Sequence, residues 1–212
     1  MRAGCLVLCA MTWGCWSASV HADLIFTAIN TTETITFTGF DGSGFSPTPS
    51  SGQLDSNTWR VTGLSEGNGS FGGTHTTGDF ARETSSGGVG TGGIYAFNTG
   101  STSGVGLGVQ PTGEDFTPGT ITLRLKNDTG VVIEDLEIAY DVFIYNDQNR
   151  SNSFNFQYSA DDTSYTPVSS LNLASPGGAD STSELGRHGA FYHTDWRQYR
   201  AGIAVLPPVD WR

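Results

Sequence analysis

The stretch from Gly119 to Tyr165 alternates apolar and polar side chains with a period of two, a pattern that antiparallel sheet satisfies and helix does not. Ile121, Leu123 and Leu125 alternate with Thr120, Thr122, Arg124 and Lys126, which predicts a strand with one dry face and one wet face. Asn127-Asp128-Thr129-Gly130 supplies turn chemistry, and Val131 opens a second apolar run. Leu136, Ile138 and Tyr140 alternate in their turn, followed by Val142, Phe143, Ile144 and Tyr145. Phe154, Phe156 and Tyr158 take every second position, so they are expected to face the core, with Asn155 and Gln157 outward. Asp161-Asp162-Thr163-Ser164 closes a last turn. Three or four antiparallel strands sharing one apolar face are predicted here.

The chain has 212 residues, enough for one domain with a full core. Its 29 glycines and low charged fraction of 15% fit short strands joined by many turns. A net charge of -11 offers no basic stripe to neutralise phosphates, which excludes nucleic acid as the expected partner, and it disfavours anionic membrane surfaces. Solubility accounts for such acidity, and cation binding is the other reading.

Residues 1–22 read as a secretory signal: Arg2 gives a positive start, Cys5 to Trp16 is apolar but too short to span a bilayer, and Val20-His21-Ala22 fits cleavage after Ala22. Cys5, Cys9 and Cys15 all lie inside it, so the expected mature chain has no disulfide and no cysteine metal site. Downstream, strands are predicted at Leu24–Ile29, Thr34–Thr38, Trp59–Leu64, Ile94–Phe97 and Val105–Val109. Phe40 to Gln53 reads as a loop, and Ser65 to Gly93 as a long one, either functional or mobile. The total is about eight to ten strands of an all-β domain spanning 23–183, with spacing that suits a β-sandwich.

The segments FTGFDGSGFSPTPSSGQLDSNTWRVTG, GDFARETSSGGVGTGGIYAF, LGVQPTGEDFTPGTITLRLKNDTG and YDVFIYNDQNRSNSFNFQYSADDTSY carry a resemblance to a domain of secreted bacterial surface proteins. Such proteins often end in a sorting anchor of the PEP-CTERM type. The resemblance implies an antiparallel jelly-roll-like β-sandwich and brings no catalytic site. It also bears on the tail. Residues 184–212 change character: basic residues and His188 and His193 appear, Pro207-Pro208 interrupts the chain, and alternation disappears. Proteins of the resembled family continue with P-S-W and later F-Y-L-R-W-T-G, and a one-base shift of reading frame permits both here. A frameshifted tail, with closing strands and anchor missing, is therefore the expectation.

No strong catalytic motif is present. His75 and Asp79 share a loop with many serines, but no G-x-S-x-G presents a nucleophile. Glu114-Asp115 and Glu134 with Glu137 are paired carboxylates with no assignable cleft. The glycine runs at 90–93 and 104–108 lack the Lys-Ser/Thr of a phosphate loop. His188 and His193 lack further zinc ligands. Calcium is the remaining metal hypothesis: Asp41, Asp55 and Asp147 sit in oxygen-rich turns, although Asx turns account for the same residues. For a sugar ligand, Trp59, Tyr145 and Tyr165 are the stacking candidates, and core or rim packing is the competing role.

Together these features predict a secreted or surface-located, non-enzymatic β-sandwich module, with an extracellular polysaccharide or surface protein as partner. The alternative is a secreted hydrolase, or a fragment of one, acting on polysaccharide or nucleic acid. Convergent Asp, Glu or His side chains in a deep cleft would distinguish the second.

Overall fold

The structure is a computed structural model that describes residues 4–7, 24–99, 104–145, 152–174, 183–196 and 201–206. Its strands are β1 (Gly4–Val7), β2 (Leu24–Phe26), β3 (Phe40–Ser46), β4 (Gly52–Asp55), β5 (Trp59–Thr62), β6 (Thr84–Ser85), β7 (Gly93–Asn98), β8 (Val105–Gln110), β9 (Thr120–Asn127), β10 (Ile133–Tyr145), β11 (Ser153–Ser159), β12 (Thr166–Pro167), β13 (Leu173–Ala174), β14 (Ser183–Trp196) and β15 (Ala201–Leu206). Two short 3₁₀ turns, Gly78–Phe80 and Ser169–Leu171, are the only helical pieces among the described residues. The protein is all-β, as the alternation predicts. The strand count exceeds the expected eight to ten partly because β6, β12 and β13 are two-residue pairings.

Two open sheets carry most of these strands. One runs β14-β10-β1-β8-β7-β6; the other runs β12-β11-β15-β9-β2, with β13 on β11 and β5 on β9. A small parallel pair, β3-β4, stands apart. Both large sheets feed one buried cluster. Ile94, Ala96, Leu107, Leu136, Ile138, Tyr140 and Val142 come from the first, and Trp59, Val61, Ile121, Leu123, Leu125 and Phe156 from the second. Phe37, Phe40, Phe45 and Leu54 add to it from the β3-β4 side. At about 1.5–3 kcal/mol for each fully buried large apolar side chain, this cluster is the main favourable term of folding.

The alternation in the 119–165 stretch is realised at its described apolar positions, whereas Asn155 and Gln157 are half-buried like Phe154 and Tyr158 rather than turned outward. Ile121, Leu123 and Leu125 of β9 and Leu136, Ile138 and Tyr140 of β10 are buried. In β11, Phe156 is buried, and Phe154 and Tyr158 pack against the core. The turn after β9 forms as expected: Asn127 Oδ1 accepts bonds from Thr129 N (3.1 Å) and Thr129 Oγ1 (2.7 Å).

Two expectations are corrected, and two further segments pair where no strand was expected. Thr34–Thr38 is not a strand, although Phe37 is buried and its ring lies 5.6 Å from that of Trp59. The presumed loop 40–53 contains β3 and the start of β4, because Phe40 and Phe45 are core anchors and Phe45 exchanges two 2.8 Å backbone bonds with His75. The tail does form strands: β14 pairs along β10, and β15 lies between β9 and β11. Gly4–Val7, inside the expected signal segment, pairs antiparallel with both β8 and β10.

Candidate functional site

The outer face of β5 and β9 carries the most developed polar arrangement among the described residues. Register places Arg60 opposite Thr122 and Thr62 opposite Thr120, on the face away from Trp59, Val61, Ile121 and Leu123. Arg124 lies two residues along β9 on that same face. The alternation predicts this face to be wet. Thr122 is instead completely buried, because two segments cover the face. One brings Phe71, whose ring centroid is 4.5 Å from the guanidinium carbons of both Arg60 and Arg124. The other is the turn after β11, which brings Asp162 and Tyr165.

Arg60 and Asp162 form a bidentate pair: Nη1 donates to Oδ2 and Nη2 to Oδ1, each at 2.7 Å. Two parallel N–H···O bonds match the planar fork of guanidinium to the planar carboxylate. Tyr165 closes the network, its hydroxyl donating to Asp162 Oδ1 and lying 3.3 Å from Arg60 Nη2. The side chains of Arg60 and Asp162 are 21% and 34% exposed, so the pair sits at the rim rather than in the core. Behind it, Arg60 Nε and Thr122 Oγ1 are buried without a hydrogen-bond partner. Thr62 and Thr120 share a 2.7 Å hydroxyl contact on the same face.

The electrostatics follow from this geometry. Burial pushes the Asp162 carboxyl up, but the Arg60 and Tyr165 bonds outweigh it and hold the group below the usual range. Burial lowers the Arg60 value, but Asp162 and Tyr165 together raise it by more, so Arg60 stays firmly charged. Tyr165 is pushed up to about 12, first by burial and then by the neighbouring Asp162. Asp161 next door is held well below its usual value by the backbone N–H groups of Ser164 and Thr163 and the hydroxyls of Thr163 and Ser159.

Asp79 and Asp115 form a second polar centre, and it is a structural one. Asp79 Oδ2 accepts from Ser65 Oγ (2.7 Å) and Glu66 N (3.0 Å), and Oδ1 pairs with Arg82. Asp115 accepts from Ser65 N and from Thr112 Oγ1, each at 2.8 Å. These bonds pin the long 65–93 segment, with Phe80 as its buried apolar anchor. Burial raises the Asp79 carboxyl, and its bonds from Ser65, Glu66 and Arg82 bring it below the usual range.

The other sequence candidates are dispersed. His75 stacks on Phe80 at 4.6 Å and its Nε2 accepts from Ser70 N, while Asp79 is engaged as above, so the two do not form a base and orienter. Asp115 serves its turn, and Gly92 packs against its carboxylate without room for a Cβ, a surrounding that repels phosphate. Asp41 caps its own turn through Ser43 N (3.0 Å) and Ser43 Oγ, and Asp55 accepts from Asn57 N at 2.8 Å. Asp147 lies outside the described residues. Among the described residues no three His, Cys, Asp or Glu side chains gather in a metal-holding group. Trp59 is buried in the core and is no stacking platform. Tyr145, His188 and His193 lie outside the residues whose side chains are described, as does Glu134. Of the two aromatic candidates whose side chains are described, Tyr165 is the one in a polar, partly exposed site.

No helix of the described residues is long and apolar enough to cross a membrane. No family model, curated protein or solved structure matches this chain.

Proposed function

We propose that this protein is a secreted, non-enzymatic module that binds extracellular polysaccharide, built as an antiparallel jelly-roll-like β-sandwich. The observation that carries the reading is the rim network of Arg60, Asp162, Tyr165 and Phe71 on the outer face of β5 and β9. An aromatic ring beside a fixed guanidinium and hydroxyl groups offers a sugar ring apolar contact on one side and directed hydrogen bonds at the edge. The two open sheets sharing one core support the sandwich, and the apolar start of the chain, with small residues before Asp23, supports export. The hydrolase alternative needs convergent acid and base groups, whereas Asp79 and Asp115 are each saturated by structural bonds.

A glycan array probed with the exported protein, in calcium and in chelator, tests the binding. Binding that Tyr165→Ala removes without loss of folding is expected. Binding to no glycan under either condition would overturn it. The calcium arm reads Asp41, Asp55 and Asp147 as well, since a ligand set among those turns predicts binding only with the ion present. Mass spectrometry of the exported protein tests export, with an N-terminus at Asp23 expected and an intact Met1 contradicting it.

A further inference from the structure

Arg60 already recognises one carboxylate, and we propose that this is the site's ligand chemistry: a saccharide carboxylate, as carried by a chain of uronic acids, takes the place of Asp162 on the Arg60 fork. The inference rests on the reading of the domain as a polysaccharide binder and adds to it the class of sugar.

Four features of the site argue for it. The Arg60–Asp162 contact is bidentate, the geometry that selects a planar carboxylate over a lone hydroxyl. Its internal occupant is replaceable: the Asp162 side chain is 34% exposed at the rim. The turn does not depend on it, because Asp161 Oδ1 accepts from Ser159 Oγ, Thr163 N and Ser164 N at 2.8–2.9 Å. Behind the fork, Arg60 Nε and the completely buried Thr122 Oγ1 have unused hydrogen-bonding capacity. Around the fork lie Phe71, Tyr165, the Thr62–Thr120 hydroxyl pair and Arg124. Rings and hydroxyls in that mixture suit a sugar acid better than an acidic peptide, which would ask for a run of backbone partners along an open strand edge.

In this arrangement Asp162 is a competitor in place, so weakening it strengthens the site. Asp162→Asn keeps shape, tolerates the left-handed φ of 60° at this position and gives up the charge. Titration of the exported protein with an unbranched oligogalacturonate, and with the same oligomer methyl-esterified at every carboxyl, reads the proposal directly. The acid form is expected to bind Asp162→Asn at least about tenfold tighter than wild type, and Arg60→Lys, which loses the fork, at least about tenfold more weakly. The ester is expected to show neither change. Equal binding of acid and ester would overturn the carboxylate receptor and leave the polysaccharide reading standing. Absence of binding by both, together with a blank glycan array, would end both readings. Should Asp162→Asn fail to fold, the Arg60 Nε–H resonance of the wild-type protein gives the answer: a shift with the acid form only is expected, and no shift, or the same shift with the ester, overturns the proposal.

Discussion

Phe156 is 2% exposed, and its ring stacks on Tyr140 with centroids 5.8 Å apart, while the Tyr140 hydroxyl donates to the Leu171 carbonyl at 2.7 Å. Truncating it empties a site walled by rings that cannot collapse into the space, so Phe156→Ala is expected to cost about 3–5 kcal/mol. Denaturant unfolding checks this, and an unchanged midpoint would mean that the ring is not in the core. Phe154, half-buried, should cost clearly less. Tyr165 makes a different kind of prediction. Its phenol is pushed from 10.0 up to about 12, because burial and the Asp162 carboxylate penalise the phenolate. The folded state therefore holds that proton more tightly than the unfolded state does. Its contribution to stability is complete below pH 10.0 and is lost as pH rises toward about 12. Phenolate absorbance should show Tyr165 titrating late together with the buried Tyr140 and Tyr95, and Asp162→Asn should bring only the Tyr165 component part of the way back toward 10.0. The sign is opposite for Asp162 and Asp79, whose folded values are depressed. Their contribution is present above about pH 4 and is lost as pH falls through the folded values.

Strands decide how much of this was legible beforehand. Period two picks out the apolar positions of β9, β10 and β11 that enter the core, among them Ile121, Leu123, Leu125, Leu136, Ile138, Tyr140 and Phe156, because those side chains share the face turned to it. It misreads the other face of β9, since what covers Thr122 is Phe71 and a turn about forty residues downstream, and no local pattern encodes a roof. Arg60 and Asp162 are 102 residues apart, so their pairing had no sequence signal beyond each standing at a polar position. Tyr165 was visible as an aromatic in a polar turn, and Trp59 looked no different until its burial was known. β14 was invisible for another reason. Its sequence lacks alternation, yet thirteen-residue β10 offers a long edge whose main-chain bonds are indifferent to side chains. Glycines in β8 were readable as marks of close approach, and the structure supplies the approaching group: the Phe97 ring lies over Gly108, in a small cluster with Tyr95 and Phe143. Gly108→Ala puts a methyl where that buried ring sits, and overpacking of this kind should cost about 1–3 kcal/mol. A thermal melt compares it with Gly113→Ala, where a Cβ meets nothing and little change is expected.

The whole molecule carries a net charge of -11, and that charge opposes the ligand proposed for its best site. A polyanionic sugar chain approaching the domain is repelled over distances set by the Debye length, about 30 Å at 0.01 M salt and about 8 Å at 0.15 M. The attraction that holds it is short-ranged: two N–H···O bonds from an Arg60 side chain that is 21% exposed, where salt screens poorly. Raising the salt therefore removes the opposing term faster than the favourable one. Oligogalacturonate binding should hold or tighten between about 0.01 and 0.15 M salt, with the gain in the association rate. The opposite slope is the signature of diffuse positive charge neutralised by a polyanion, as in phosphate-backbone binding. An acidic chain whose Arg60 is already held by the Asp162 carboxylate has no such diffuse basic surface there. Calorimetric titration across that range of salt separates the two cases, and a steep loss of affinity with salt would place the binding energy somewhere other than the Arg60 fork.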